Sequence, residues 1–199
     1  STNATLNILE TINLHKDAQL NIGFGEFTQG KVSKNTQINL VGSGSSAITY
    51  GAALLRGHLK WTLEANHLAT HTYAELNSNV VIGNLGHCDL EVIGSIPKGN
   101  YQSKTHQMSK LLNLGEKAQA SVYPKLLIDE NDVEASHAAS VGQPEQEHIY
   151  YLMSRGLSYQ ESMRLLIKGY LHPVVNLIED ETLQTTLLEM IDEEVQQYV

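Results

Sequence analysis

The sequence predicts a mainly β fold, most economically a parallel β-helix (β-solenoid), followed by a small C-terminal α-helical domain. Up to about residue 142, short runs of leucine and β-branched residues alternate with Gly, Asn and Ser, as in strands joined by turns. Beyond that point apolar residues recur at helical spacing and glycine becomes rare. We therefore expect two domains, at residues 1–142 and 143–199. An antiparallel sandwich has similar short strands, so these patterns alone leave both β architectures open.

Six runs of strand length lie in the first domain, with turn residues between them. No stretch between these runs requires a long helix. In chain order they are residues 6–9, 11–14, 36–41, 80–82, 90–93 and 125–129.

An internal match supports the solenoid. Residues 12–20 (INLHKDAQL) and 112–120 (LNLGEKAQA) are identical at four of nine positions, at an offset of 100 residues. That offset fits about five coils of about twenty residues, near the short end of solenoid repeats. Four identities in nine positions also arise by chance, so the match favours the solenoid without excluding the sandwich.

Three helices are predicted in the second domain. Pro144 suits a first helical turn, and Gly156 suits the end of that helix. Ser158 and Glu161 have the spacing of a capping box, which begins the second helix. Proline has no amide donor, so Pro173 ends or kinks the second helix.

An apolar stripe marks the third helix. Its members fall four residues apart among acidic residues, which makes the helix amphipathic. Such a stripe is most often part of a protein's own core, and otherwise offers a surface to another protein. The stripe consists of Leu183, Leu187, Ile191 and Val195.

Composition excludes several classes of protein. The chain has 199 residues, 41% of them hydrophobic and 18% charged, which suits a domain with a real core rather than a disordered chain. Its net charge is −9 and its basic residues do not cluster, so nucleic acid is not expected as a partner. No apolar run approaches the roughly eighteen residues of a membrane span. The single cysteine, Cys88, excludes an internal disulfide framework and a thiolate-only metal site.

The first residues lack a methionine, a basic start and the apolar core of a signal peptide. We interpret residue 1 as a cut inside a longer protein. The expected compartment is the cytoplasm, although a longer precursor would carry any export signal at its own beginning.

Three ordered blocks carry a family resemblance. They are residues 132–142 (DVEASHAASVG), 149–157 (IYYLMSRGL) and 165–171 (LLIKGYL), and the resemblance extends upstream to about residue 100. Together they resemble the carboxy-terminal signature of the SufB/SufD family of iron–sulfur cluster assembly proteins. The AASVG run after the histidine is similar to the SufD branch, of the kind found in Gram-positive bacteria, whereas SufB proteins tend to have a His-Glu-Ala-Thr run there.

The resemblance implies a right-handed parallel β-helix followed by a helical domain, in proteins considerably longer than this chain. It also implies a non-catalytic subunit that pairs with SufB and binds the ATPase SufC through its helical domain. The ATP site would then lie on SufC. No cofactor is expected to stay bound to this chain, although iron or an iron–sulfur cluster would pass through the complex. Because a solenoid cut between coils exposes strand edges, we expect the isolated chain to form a homodimer.

His137 is the residue to which the resemblance assigns chemistry. In SufD proteins a histidine at this position is implicated as a ligand for iron or the nascent cluster at the SufB interface. Imidazole suits iron and can complete a site whose thiolates come from a partner. The structural alternative is a buried strand histidine that bonds to a backbone carbonyl. Many SufD proteins have a cysteine two residues earlier, where this chain has Ala135.

The family's SufC-binding blocks contain four further candidates. Arg155, Gly156, Gly169 and Tyr170 match those blocks and are expected to contact SufC. For Gly156 a helix stop is an equally good explanation, and Arg155 also reads as a solvated charge.

Two other pairs of residues are weaker candidates for metal binding. His67 and His71 would share one face of a helix and hold zinc, but a strand is the better prediction for that segment. His87 and Cys88 are adjacent, so on a strand they point to opposite faces and cannot bind one ion together.

A β-helix enzyme that cleaves polysaccharides is the alternative function. Such lyases and hydrolases need carboxylates, often with Arg or Lys, on one face of the solenoid. Asp89 and Glu91 lie two residues apart and would share a strand face.

Overall fold

The described part of the chain forms ten β-strands followed by three α-helices. The computed structural model describes residues 5–178 and 180–196. The strands are β1 (Thr5–Leu14), β2 (Gln19–Thr28), β3 (Lys31–Leu40), β4 (Ser46–Leu55), β5 (His58–His67), β6 (Tyr73–Ile82), β7 (His87–Ile96), β8 (Ser103–Asn113), β9 (Gln119–Ile128) and β10 (Val133–Gly142). The helices are α1 (Gln146–Ser154), α2 (Tyr159–Val175) and α3 (Glu181–Gln196).

Two five-stranded parallel sheets contain these strands. The odd sheet has the order β1-β3-β5-β7-β9, and the even sheet has the order β10-β8-β6-β4-β2. Consecutive strands thus alternate between sheets, and each coil contributes one strand to each. The result is a parallel β-solenoid of about five turns, as predicted, and not an antiparallel sandwich.

The predicted coil length of about twenty residues is wrong. Thr5 lies opposite Lys31 and His87 opposite Gln119, so one coil takes 26 to 32 residues. The two matched segments begin in different sheets, at the ends of β1 and β8, and are therefore not equivalent. Both segments instead contain a similar turn between two strands. The amide of Ala18 donates to the carbonyl of His15 (3.0 Å), and the amide of Ala118 donates to the carbonyl of Gly115 (3.2 Å).

The six predicted strand runs fall in only five of the ten described strands. The first two runs form one strand, β1, because its intervening residue does not interrupt the pairing with β3. The runs do not include β2, β4, β5, β8 or β10. In β8 the first four buried positions hold Ser103, Thr105, Gln107 and Ser109, and apolar residues, Leu111 and Leu112, are buried only near its end.

The solenoid interior is built from every second residue of each strand, as the two-residue period of a strand requires. In β7, for example, Cys88, Leu90 and Val92 are buried, whereas the residues between them are half-buried. The interior is not uniformly apolar. Lys34 is buried in an early coil, with its Nζ 3.3 Å from Glu10 and 4.4 Å from the centre of the Phe24 ring.

Helix α2 packs on the outer face of the even sheet, and α1 and α3 pack against α2. Ile167, Leu171 and Val175 of α2 are buried there, and Ile191 and Val195 of α3 join the same apolar cluster. On the sheet side, the cluster contains Ala52, Leu54, Val81 and Leu112. The stripe of α3 is therefore partly internal core, but its first member, Leu183, is 60% exposed. The strands end at Gly142, yet the division into two domains stays a prediction.

The helix boundaries predicted at Gly156 and Ser158 agree with the structure, whereas the start predicted at Pro144 does not. Gly156 has a φ of +98° and follows α1, with the hydrogen-bond pattern of a Schellman motif. The capping box of Ser158 and Glu161 is formed at the start of α2. Pro173 lies inside α2, two residues before its end, whereas Pro144 precedes α1 rather than lying in its first turn. Over the described residues, no helix is long and apolar enough to cross a membrane.

Candidate functional site

His137 lies on β10, the last strand of the even sheet. β10 pairs with β8, and His137 is opposite Gln107 in that register. Gln107 is buried in the solenoid interior, so His137 belongs to the row of residues that faces inward. Because β10 is an edge strand, this end of the interior is open and His137 is exposed. The alternative of a buried, satisfied strand histidine is therefore wrong.

Polar groups line the interior next to His137. Gln107 donates through Nε2 to the carbonyl of Lys125 at 3.0 Å. Its Oε1 and the Oγ1 of Thr105 are buried, and neither has a hydrogen-bond partner within the described ranges. Unsatisfied buried oxygens are unusual in folded proteins, because each loses its bonds to water. The even-sheet side of the open end is thus polar beside His137, whereas the inward-facing residues of β9, such as Ala120 and Val122, are apolar.

Ala135 and Ser136 lie on opposite faces of β10. Ala135 is opposite Thr105 and shares the inward row with His137, so a cysteine at this position would lie beside the histidine. Ser136 lies on the outer face, where its hydroxyl is 2.7 Å from Nδ1 of His106. Because residue 135 is alanine, His137 is the only residue on the inward face of β10 whose side chain can bind a metal ion. Among the described residues, no group of three or more metal-ligating side chains includes His137, so a complete metal site there needs further ligands.

The zinc hypothesis for His67 and His71 is wrong in its geometry. His67 ends β5 and is fully buried, and its Nδ1 lies 2.7 Å from the Thr72 hydroxyl. Burial lowers the pKa of His67 to about 4. His71 is in a turn at a φ of +58°, and its amide donates to Tyr101. The two residues share no helix face, since neither is helical.

The separation of His87 and Cys88 is confirmed. His87 is half-buried on the outer face of the odd sheet, whereas Cys88 is fully buried in the interior. Burial, with a smaller effect of the Asp89 charge, raises the pKa of the Cys88 thiol to about 12. Cys88 is accordingly a small core residue and not an accessible thiolate.

Asp89 and Glu91 share the outer face of β7, as expected. Both border a groove of about 370 Å³ whose other lining residues are Lys60, Trp61, Thr62 and Tyr123. Glu91 forms an ion pair with Lys125, and Asp89 lies within 3.5 Å of the side chains of His58 and His87. Sequence reasoning did not identify this convergence. His58 and His87 lie opposite each other because they are one coil apart, and the sequence patterns did not reveal the length of that coil.

The four helical candidates form two pairs and not one cluster. Arg155 and Gly156 follow the C-terminal end of α1, where the Arg155 guanidinium lies 5.2 Å from the Tyr151 ring centre. Tyr170 borders a cavity of about 280 Å³ together with Glu145, at the opposite end of α1. Burial raises the pKa of Tyr170, with a smaller effect of Glu145. The two ends of a nine-residue helix are about 14 Å apart.

Sequence reasoning also missed five large apolar side chains that are exposed on α1 and α2, which we group as the aromatic surface. Its members are 45–76% exposed although large and apolar, a composition enriched in protein interfaces. The aromatic surface consists of Tyr150, Tyr151, Met153, Tyr159 and Leu165.

The described part of the chain thus combines a parallel β-solenoid with a helical tail and places an exposed histidine on the last strand of the even sheet. Residues 1–170 match the family described as SUF system FeS cluster assembly, SufBD core domain. The chain therefore belongs to the SufBD family.

Curated relatives place the chain in the SufD branch. It is 33% identical over 182 residues to the iron–sulfur cluster assembly protein SufD of Bacillus subtilis. The aligned region covers 90% of this chain and 42% of that protein. It is 28% identical over 186 residues to SufD of Plasmodium berghei, covering 89% of this chain and 14% of the relative. A SufBD family protein of Pyrococcus horikoshii is 35% identical over 88 residues, or 44% of this chain and 20% of the relative. The chain thus spans less than half the length of these relatives.

Proposed function

We propose that this chain is part of a SufD subunit that works in iron–sulfur cluster assembly as a non-catalytic scaffold in the cytoplasm. The observation that carries the proposal is the SufBD core match over residues 1–170. The exposed His137 on the open coil gives the scaffold a residue suited to iron. Iron and the nascent cluster are cargo in this proposal, and the chain alone holds neither stably. Family membership disfavours the alternative of a polysaccharide-cleaving enzyme.

We propose that SufB pairs with the open end of the solenoid. β10 has a free strand edge, and the neighbouring edge strand β9 exposes about half of Tyr123 and Leu127. Unpaired strand edges with apolar side chains recruit a further chain. In the isolated chain, the same edges would support a homodimer.

His137 then acts as one ligand of a site shared between the two subunits. A neutral imidazole donates a nitrogen lone pair to iron, and thiolates or carboxylates of SufB complete the coordination. The buried oxygens of Gln107 and Thr105 lie on the same polar side of the open end. They are suited to hydrogen-bonding water or ligand groups around the cargo.

The His137 proposal is tested in the reconstituted SufB–SufC–SufD complex. His137→Ala is expected to lower the iron and sulfide recovered with the complex, while the amount of SufB that copurifies stays unchanged. His106→Ala is the matched control, because this neighbouring histidine lies on the outer face. Equal cluster content in wild type and His137→Ala would rule out the ligand role.

SufC is proposed to bind the helical region through the aromatic surface and the neighbouring Arg155 and Gly156. Tyrosines supply large contact area at small entropic cost, and they are frequent among residues that dominate binding energy. Gly169 and Tyr170 lie farther along α2, so they contribute only if SufC covers both ends of α1. Gly169 borders a second cavity of about 280 Å³, next to Pro173.

Titration calorimetry with purified SufC tests this surface. Tyr150→Ala and Tyr159→Ala are each expected to weaken binding by roughly tenfold or more. Tyr101→Ala is the control, because Tyr101 is 48% exposed on a turn of the solenoid. Wild-type affinity in both variants of the aromatic surface would refute the proposed docking site.

A further inference from the structure

Two histidines and an aspartate converge on the outer face of the odd sheet. His58 and His87 begin β5 and β7 and lie opposite each other in the parallel register. Asp89 follows two residues after His87 and therefore lies on the same face. Its Oδ2 is 3.0 Å from Nε2 of His87 and 3.5 Å from Nε2 of His58. One ligand atom from each residue fits within a mutual distance of 4.8 Å.

These separations are close to those of a metal site. Zinc-type ions bind imidazole nitrogen and carboxylate oxygen at about 2.0–2.2 Å, so tetrahedral ligand atoms lie about 3.3 Å apart. Both measured nitrogen–oxygen distances are near that value. The two imidazole rings are also near one another, with centroids 4.3 Å apart. Small side-chain rotations would bring all three ligand atoms around one ion.

The backbone beneath these residues is held on both sides. β5 pairs with β3 and β7, and β7 pairs with β5 and β9. The amide of His58 donates to Gly30 at 2.8 Å, and the amide of His87 donates to Gly57 at 2.9 Å. Ligands on rigid interior strands keep their relative positions, which a binding site requires.

The cluster is open to solvent on its outer side. The three side chains are 34–41% exposed, so an ion has a path to them and water has room to complete its coordination. Asp89 also borders the 370 Å³ groove, which Lys60 and Tyr123 help to line. The groove leaves space for an additional small ligand beside a bound ion.

Lysines opposite the site on the neighbouring strands affect how a cation can bind there. Lys60 lies opposite Asp89, and Lys31 lies opposite His58 in the register. On the other side, Gln119 and Ser121 are opposite His87 and Asp89 and bring no charge. The two lysines repel a cation, so the site depends on coordinate bonds and not on a general negative potential.

We propose that His58, His87 and Asp89 bind one divalent first-row transition metal ion. Two imidazoles and one carboxylate form a borderline donor set, which suits Zn²⁺, Co²⁺ or Fe²⁺ better than Mg²⁺ or Ca²⁺. This site is separate from His137, which lies on the even sheet at the open end. It uses ligands of this chain alone, so it does not depend on the proposed pairing with SufB.

Titration of the chelator-treated 199-residue chain with Co²⁺ tests the proposal. We expect one ion per chain and a visible d–d absorption band from the histidine-bound ion. We expect Co²⁺ binding to weaken by roughly 100-fold or more in each of three variants, His58→Gln, His87→Gln and Asp89→Asn. Loss of a residue that only hydrogen-bonds to a metal ligand would have a smaller effect. Circular dichroism of each variant checks that the solenoid is intact.

Two histidine variants serve as controls. His15→Gln removes an exposed turn histidine, and His137→Gln removes the proposed cargo ligand. Both are expected to keep wild-type Co²⁺ binding, so failure of the His137 proposal would leave this one intact. Absence of a one-to-one complex, or equal affinity in folded His87→Gln and wild type, would overturn the metal site.

Discussion

Single buried residues leave the solenoid interior little room for change. Gly51 on β4 faces the fully buried Trp61, and a Cβ at this position would come within 2.5 Å of the Trp61 Cη2 atom. The indole is also held by a 3.3 Å hydrogen bond from its Nε1 to Thr36. Glycine is thus required here by close approach and not by backbone conformation.

Gly51→Ala is therefore expected to reduce the free energy of unfolding by about 1–3 kcal/mol, because a packed ring has to move. Gly25→Ala is the matched control on β2, where an added Cβ has no neighbour within 4 Å. The control is expected to change stability by less than about 0.5 kcal/mol. Urea unfolding of the three proteins measures both effects. Equal midpoints for Gly51→Ala and wild type would contradict the close contact.

His67 links stability to pH. In the folded chain burial lowers its pKa to about 4 from 6.5. Below pH 6.5 the unfolded chain therefore binds a proton that the folded chain excludes, and the free energy of unfolding falls as the pH drops towards 4. Above pH 6.5 the His67 titration no longer reduces the free energy of unfolding. Between pH 6.5 and pH 4 it lowers that free energy by roughly 3 kcal/mol.

His67→Gln removes this titration, so its stability is expected to depend less on pH between about 4 and 6.5 than that of the wild type. Urea unfolding at several pH values in this window measures the slopes. His15→Gln, a change at an exposed turn, is expected to keep the wild-type slope. Parallel curves for wild type and His67→Gln would show that His67 titrates normally when folded.

Among the elements, α2 joins the helical region to the solenoid. Its buried side chains contact Leu54 and Val81 on the outer face of the even sheet. Ile167 is fully buried in this contact, whereas Leu165 on the same helix is 50% exposed. The helix is therefore anchored by one face, which leaves the other face free for a partner.

Ile167→Ala is expected to cost about 2–5 kcal/mol of stability, because it leaves a cavity between helix and sheet. Leu165→Ala is expected to change stability by about 0.5 kcal/mol or less, yet to weaken SufC binding. Thermal unfolding and calorimetry of the two variants separate these effects. A large stability loss in Leu165→Ala would mean that the aromatic surface is part of the core.

At the scale of the whole molecule, the free strand edges dominate the expected behaviour in solution. Both β10 and β9 end their sheets, and β1 and β2 end them on the opposite side. Apolar side chains accompany these edges: Leu6 and Leu9 on β1 are 53% and 78% exposed, and Val141 on β10 is 44% exposed. Such edges pair with further strands unless charge prevents it.

Sedimentation of the 199-residue chain is therefore expected to show a mass that rises from 22.0 kDa towards the dimer as concentration increases. Val141→Lys places a charge at the β10 edge and is expected to shift the equilibrium towards monomer. Lys110→Arg is the control, since it changes an exposed residue of β8 without changing charge. Monomer alone at high concentration would refute self-association through uncapped edges.

Local signals and family motifs made much of the molecule predictable from sequence. The capping box at Ser158 and the stop at Gly156 depend on nearby backbone groups, so their residue types suffice to identify them. The ordered blocks around His137 indicated the family and, through the resemblance, the β-solenoid, which the strand texture alone left open beside a sandwich. The histidine's ligand role remains a proposal, because its remaining ligands would belong to another chain.

Local sequence signals were enough to predict the mainly β class, the capping box at Ser158, the helix stop at Gly156 and the separation of His87 and Cys88 on opposite strand faces, since these follow from local propensity and strand period. The 26- to 32-residue coil, the exposure of His137 and the meeting of His58, His87 and Asp89 became visible in the tertiary structure. Each of these depends on which strands stack on one another. Parallel stacking brings together residues about thirty positions apart, and a periodicity read along one strand contains no record of that register.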